Sequence, residues 1–175
     1  MTRTRSAEAQ PQDGPSPQRR GRWFEEFETG QDFVSAARTV TEADVALFAG
    51  LSGDFNPLHV DAAFAERTAF RGRIAHGLLV ESVASGLAAQ TGIFDGTIAA
   101  LAEVGIRFER PVRPGDSIFI QLTVEEVDPE PSRSRGWVRF GTRVFNQRGE
   151  RVVDGHWVTR MLRDRARRSA PEEGP

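Results

Sequence analysis

An α+β domain, in which a long antiparallel sheet packs against one central helix, is the architecture this sequence predicts. Three features predict it. Residues 74–90 form a run made almost wholly of apolar or very small side chains, too short to span a membrane, which reads as a helix buried all round. Four segments after it read as strands, and a short strand and a short helix precede it.

Taken in order, Phe27-Glu28-Thr29-Gly30-Gln31 is a turn into a strand expected over Phe33 to Val40. Thr41-Glu42-Ala43-Asp44 has the form of a capping box with Asp as the third-position acid, so a helix should start there. Val45, Phe48 and Ala49 form its apolar stripe, and Ser52-Gly53 ends it. Asp61 is placed to cap a short helix from Ala62 to about Arg67. In the central helix Ala84, Ser85, Gly86, Ala88 and Ala89 allow close approach of other backbone, so the chain is expected to wrap it. Strands are expected over Thr97 to Phe108, Ser117 to Val127, Trp137 to Phe145 and Arg151 to Leu162, forming a meander. Arg110-Pro111-Val112-Arg113-Pro114-Gly115-Asp116, the polar stretch 128–136 and Asn146 to Gly149 punctuate them. In the third strand Val138, Phe140, Thr142 and Val144 alternate with Trp137, Arg139, Gly141 and Arg143, which gives it one buried face. Residues 23–163 therefore form one domain, between polar tails over 1–22 and 164–175 that are too poor in apolar surface to offset their ordering entropy.

Composition narrows the function. A formal net charge of −2 gives no basic surface for nucleic acid. With no cysteine, disulfides, thiolate metal sites and a Cys nucleophile are excluded. His59, His76 and His156 look scattered, none at the i, i+4 spacing of a helical zinc pair, so no metal is expected. Arg19-Arg20 is followed by Trp23-Phe24-Glu25-Glu26 instead of an apolar run, which favours a cytoplasmic protein over a twin-arginine export signal and gives no membrane role. No Gly-x-Ser-x-Gly, Gly-x-Gly-x-x-Gly or Gly-Lys-Ser/Thr pattern supports a hydrolase triad or a nucleotide site.

The chemistry concentrates in Asp54-Phe55-Asn56-Pro57-Leu58-His59, which sets a carboxylate and an imidazole five residues apart. Pro57 holds Asn56 extended and fixes its own φ, so the bend is stiff and both side chains can be preorganised around one water. The helix expected after Asp61 would put His59 near positive backbone, which suits a ring that accepts a proton. Asn56 is expected to orient the loop, and His76 to be structural. Asn-Pro turns are also ordinary turn formers, so the motif alone does not decide for catalysis.

The order of these pieces resembles the MaoC-like, or R-specific, enoyl-CoA hydratases: Asp-x-Asn-Pro-x-His, then His76-Gly77 opening the helix, then Phe108-Glu109-Arg110-Pro111 to Gly115-Asp116. That resemblance covers about Phe24 to Leu162 and implies a hotdog fold, a homodimer or higher homo-oligomer, and an acyl-CoA thioester as substrate with no bound cofactor. It implies Asp54 and His59 as the catalytic pair, the Gly77 N–H as oxyanion donor and Ser85 as a pocket residue. The alternatives are a hotdog thioesterase and a non-catalytic acyl-thioester-binding subunit. Glu81, the only acid between Gly77 and Gln90, is read as lying off the line from Gly77 to Ser85, which counts against the thioesterase. Arg73, Arg110 and Arg113 are candidates for the carrier's phosphates, and Val80, Leu87 and Ile93 for the acyl lining.

Overall fold

The computed structural model describes residues 21–129 and 134–164. Most of both expected tails, and the middle of the polar stretch between the second and third long strands, lie outside the described residues. Gly21 and Arg22, expected in the first tail, donate backbone hydrogen bonds to Asp95 and Ile93, and Asp164 N–H reaches the Glu25 carboxylate.

A 3₁₀ turn at Phe24–Glu26 leads to β1 (Asp32–Val34) and β2 (Arg38–Thr39), then α1 (Glu42–Ser52), α2 (Pro57–Val60), α3 (Ala62–Glu66) and α4 (Gly77–Gln90). Four long strands follow: β3 (Ile98–Phe108), β4 (Ser117–Asp128), β5 (Arg135–Asn146) and β6 (Arg151–Leu162). The sheet order is β1-β4-β5-β6-β3, all antiparallel, with β2 also on β4.

The continuous strand expected over Phe33 to Val40 is two short ones. Ser35 N–H donates to the Ile120 carbonyl while the Ser35 hydroxyl, in place of a backbone carbonyl, accepts from Ile120 N–H, and this break in the regular ladder divides β1 from β2. A second correction concerns the meander. β3 pairs with β6, from Ile98 opposite Met161 to Phe108 opposite Val153, and not with β4. The connection from β3 to β4 therefore crosses to the other side of β5 and β6, and on the way Ala75 N–H donates to the Val112 carbonyl at the approach to α4.

The core lies between α4 and one face of the sheet. Leu79, Val80, Val83, Ala84 and Leu87 meet Ile118, Ile120, Leu122 and Val124 of β4, Val138, Phe140 and Val144 of β5, and Trp157 and Met161 of β6 in one cluster. Phe27 and Phe94 both set their rings edge-on to Phe140, at 5.6 Å. Burial of α4 is one-sided: Leu78, Ser82, Ser85, Gly86 and Ala89 are exposed. The expectation of a helix wrapped all round by its own chain fails here because small residues read alike in sequence whether their neighbours come from the same chain or not. Among the described residues no helix is long and apolar enough to cross a membrane.

Candidate active site

α1 delivers the motif. Thr41 Oγ1 accepts from Asp44 N–H at 3.1 Å while Asp44 Oδ2 accepts from Thr41 N–H at 2.7 Å, the expected capping box. Gly53 ends α1 in the left-handed region (φ 76°), where a residue lacking Cβ turns the chain at no steric cost, and Asp54 follows. Asp54 Oδ1 accepts from Asn56 N–H at 3.1 Å, and Asn56 Oδ1 accepts from Leu58 N–H at 3.0 Å. Asn56 thus caps α2, whose first residue is Pro57.

His59 sits in the last turn of α2, a helix the sequence reading did not assign. Asp61 does cap α3, accepting from Phe64 N–H at 3.0 Å, yet it is not α3 that orients the ring. His59 Nδ1 lies 2.8 Å from the Ile74 carbonyl oxygen. A carbonyl only accepts, so Nδ1 carries the hydrogen and, in the neutral ring, Nε2 presents its lone pair.

His76, the residue before α4, is 3% exposed. Its Nε2–H donates to the Asp54 carbonyl at 2.9 Å. Its ring stacks on His59 with centroids 3.8 Å apart and planes 30° apart, and packs against Phe48 at 5.1 Å. The fold therefore brings together two histidines that look unrelated in sequence. His76 Nδ1 is buried without a partner among the described residues, a cost of roughly 1–3 kcal/mol for an unsatisfied polar atom.

Ligand-type atoms of Asp54, His59 and His76 all lie within 4.8 Å of one another, close enough to ask whether they suit a metal ion. Imidazole lone pairs lie in the ring plane, so two stacked rings aim theirs along neighbouring planes and do not converge. His59 Nδ1 and His76 Nε2 are also committed to carbonyls. The set suits a hydrogen-bonded water better than a chelated ion: a water about 2.8 Å from each of two acceptors spans a separation of this size.

Beside His59 is a cavity of about 310 Å³, lined also by Gly77, Val80, Phe70, Phe108 and Val153 among others; Asp54 is exposed and is not among its lining residues. Gly77 is the first residue of α4, where an N–H has no carbonyl one turn back to bond. A Cβ at Gly77 would stand 2.7 Å from the Phe108 ring, so only glycine lets that ring lie over the helix start. Val80 lines the cavity as expected. Leu87 instead lines a separate cleft with Arg38 and Gln90, and Ile93 is in the core.

Ser85 is not brought to this cavity. It stands on the exposed flank of α4, about 12 Å along the axis from Gly77 at 1.5 Å per residue. On the same flank the Ser82 hydroxyl donates to the Leu78 carbonyl at 2.7 Å. The reading of Glu81 also needs correction: residues 77, 81 and 85 are four apart and follow one ridge. Glu81 accepts the Trp157 indole N–H at 2.8 Å, and burial pushes its carboxyl up from the usual range. Of the three arginines, Arg73 pairs with Glu42 at 2.7 Å, Arg113 donates to the Phe70 carbonyl, and Arg110 lines the cavity.

Comparison with known proteins gives the chain's family. Residues 25–142 match the MaoC like domain. The chain is 39% identical over 133 residues to an (R)-specific enoyl-CoA hydratase of Rhodospirillum rubrum, covering 76% of this chain and 87% of that protein. Among solved structures, the unliganded R-hydratase PhaJ1 of Pseudomonas aeruginosa superposes with a TM-score of 0.70 at 39% identity, covering 81% of this chain and 86% of the other. A Mycobacterium tuberculosis protein described as having a double hotdog fold superposes with a TM-score of 0.73 at 21% identity, over 89% of this chain and 47% of that one, a likeness of fold alone. With its curled antiparallel sheet, its single long helix and a family match over most of its length, the chain belongs to the MaoC-like hydro-lyases of hotdog fold.

Proposed function

We propose that this protein reversibly hydrates a trans-2-enoyl-CoA to the (R)-3-hydroxyacyl-CoA. One observation carries the reading: the Asp54 carboxylate and the His59 ring come within 4.8 Å, and His59 lines a mainly apolar cavity together with Gly77, the first residue of α4. Asp54 and His59 both accept from one water. As its oxygen adds to C3, His59 Nε2 takes its proton and returns it to C2 on the same face, while Asp54 keeps the other hydrogen in line. Negative charge gathering on the thioester oxygen meets the Gly77 N–H, where the helix dipole favours it. Asn56 acts through the loop it caps. No bound cofactor enters this scheme, since the thioester is part of the substrate. The cavity's size and its lining by Phe70, Val80 and Phe108 suit a short or medium acyl chain, with Arg110 at hand for the carrier.

The working form in this proposal is a homodimer. β3 is an edge strand, paired on one side by β6, and it exposes Ile98, Leu101, Val104 and Phe108. Together with the exposed flank of α4 they form an apolar surface that a second copy would cover.

Incubation with crotonyl-CoA tests the reaction. Loss of the conjugated enoyl absorbance without free thiol supports hydration. Thiol release identifies a thioesterase, and neither change across a series of enoyl chain lengths identifies a binding subunit.

A further inference from the structure

We infer that His76 is the positioning residue of this site, a single ring that sets Asp54, His59 and Gly77 relative to one another. The inference rests on the hydratase reading above. His76 immediately precedes Gly77 and so is fixed to the start of α4. From there its Nε2–H holds the Asp54 carbonyl, and its face holds the His59 ring. Phe48 of α1 closes the other contact, so the ring is gripped between the helix that delivers Asp54 and the ring of His59.

The chemistry of the side chain argues that this is more than filling. A residue needed only for volume at 3% exposure would be better apolar, because His76 Nδ1 is left buried without a partner. What an apolar residue lacks is the N–H toward Asp54. What an amide lacks is a flat face for His59. Histidine offers both. The carbonyl acceptor also fixes its tautomer, with the hydrogen on Nε2. In that tautomer Nδ1 has no proton, so the ring gives the reaction nothing to donate from that side. It acts through the groups it holds, and those groups come from three places in the chain: the residues just after α1, α2 and the start of α4.

Two substitutions divide the ring's functions. His76→Phe keeps a face for stacking and removes the donor; His76→Gln keeps a donor at a similar reach and removes the face. For a group displaced by about an ångström from its working geometry, rates fall by about 100-fold. We expect His76→Phe to lower kcat by about 10- to 100-fold while KM stays within about threefold, with His76→Gln recovering part of the loss. Melting temperatures are read beside the kinetics, and each rate is measured well below them. A folded His76→Phe variant with wild-type kcat overturns the inference, as does a loss of kcat shared equally by both variants and matched by partial unfolding. The hydratase reading fails separately: if wild-type protein does not hydrate any enoyl-CoA offered, or if Asp54→Asn hydrates as fast as wild type, the fault lies there and not in the assignment of His76.

Discussion

Two carboxylate–imidazole pairs occur among the described residues, and they are built in opposite ways. On the face of the sheet away from α4, His156 Nε2 meets Glu103 Oε1 directly at 2.7 Å, in a cleft of about 310 Å³ walled by Arg107, Glu125, Arg139 and Asp154. That hydrogen bond is the first cause holding the Glu103 carboxyl below its usual range. Asp54 and His59 do not bond each other. Each is held by a third party instead, Asp54 by Asn56 N–H and His76, His59 by the Ile74 carbonyl. A pair in contact is satisfied and has no place for a water between its members. A pair held near but apart has that place, and here it lies beside an apolar cavity with a helix start in its wall. A carboxylate and an imidazole thus give a hydrogen-bonded surface pair in one place and the proposed reaction site in the other.

The largest expected effect tests that contrast directly. Asp54→Asn and His59→Ala should each lower kcat for enoyl-CoA hydration by about 100- to 10,000-fold, the range for losing a general acid or base, with unchanged melting temperature. Unfolding of either variant would make the motif a structural bend. Gly77→Ala comes next: its Cβ meets the Phe108 ring, so both kcat and melting temperature should fall. Adding Phe108→Ala should restore the melting temperature, which isolates the collision. His156→Ala should leave kcat within about twofold, as expected of an exposed pair. A large loss there would erase the distinction between the two pairs.

The smallest effect concerns Glu81, a carboxylate on the buried side of α4 that accepts a bond from Trp157 and, among the described residues, makes no ion pair. Burial raises its pKa above that of the unfolded chain, so between the two values the native state binds the extra proton and stability falls as pH rises. Glu81→Gln keeps an oxygen for the indole and removes that loss. Its melting temperature should exceed wild type by about 2–4 °C near pH 7, and the two should converge below about pH 4, where the carboxyl is protonated folded or not.

What the sequence disclosed follows from range. The capping box at Thr41, the stop at Gly53, the bounds of α4 and the strand from Arg151 to Leu162 are set by neighbours within a few residues, and all were legible. So was the separation of Asp54 from His59, since Pro57 and Asn56 set it locally. The partner of β3 was not legible, because the choice between β4 and β6 is made across the sheet. Nor was the stack of His59 on His76, which depends on how the Thr68–Arg73 turn returns the chain to α4. Where Ser85 would stand was likewise not legible: which flank of α4 one chain leaves open depends on where the sheet docks, and Ser85 is on the flank that the proposed second copy would cover.

The crossover between β3 and β4 has a consequence for synthesis. Every group proposed to handle the water is translated before β4 begins, yet β3, which covers Gly77 with Phe108, has β6 as its strand neighbour. On the ribosome, where chains emerge at about 5–20 residues per second, β4 and β5 can cover α4 as they appear, while β3 has to wait for the last strand, β6, to pair. A nascent chain stalled before Arg151 would hold every group proposed to handle the water, with β3 unpaired and Val153 missing from the cavity wall.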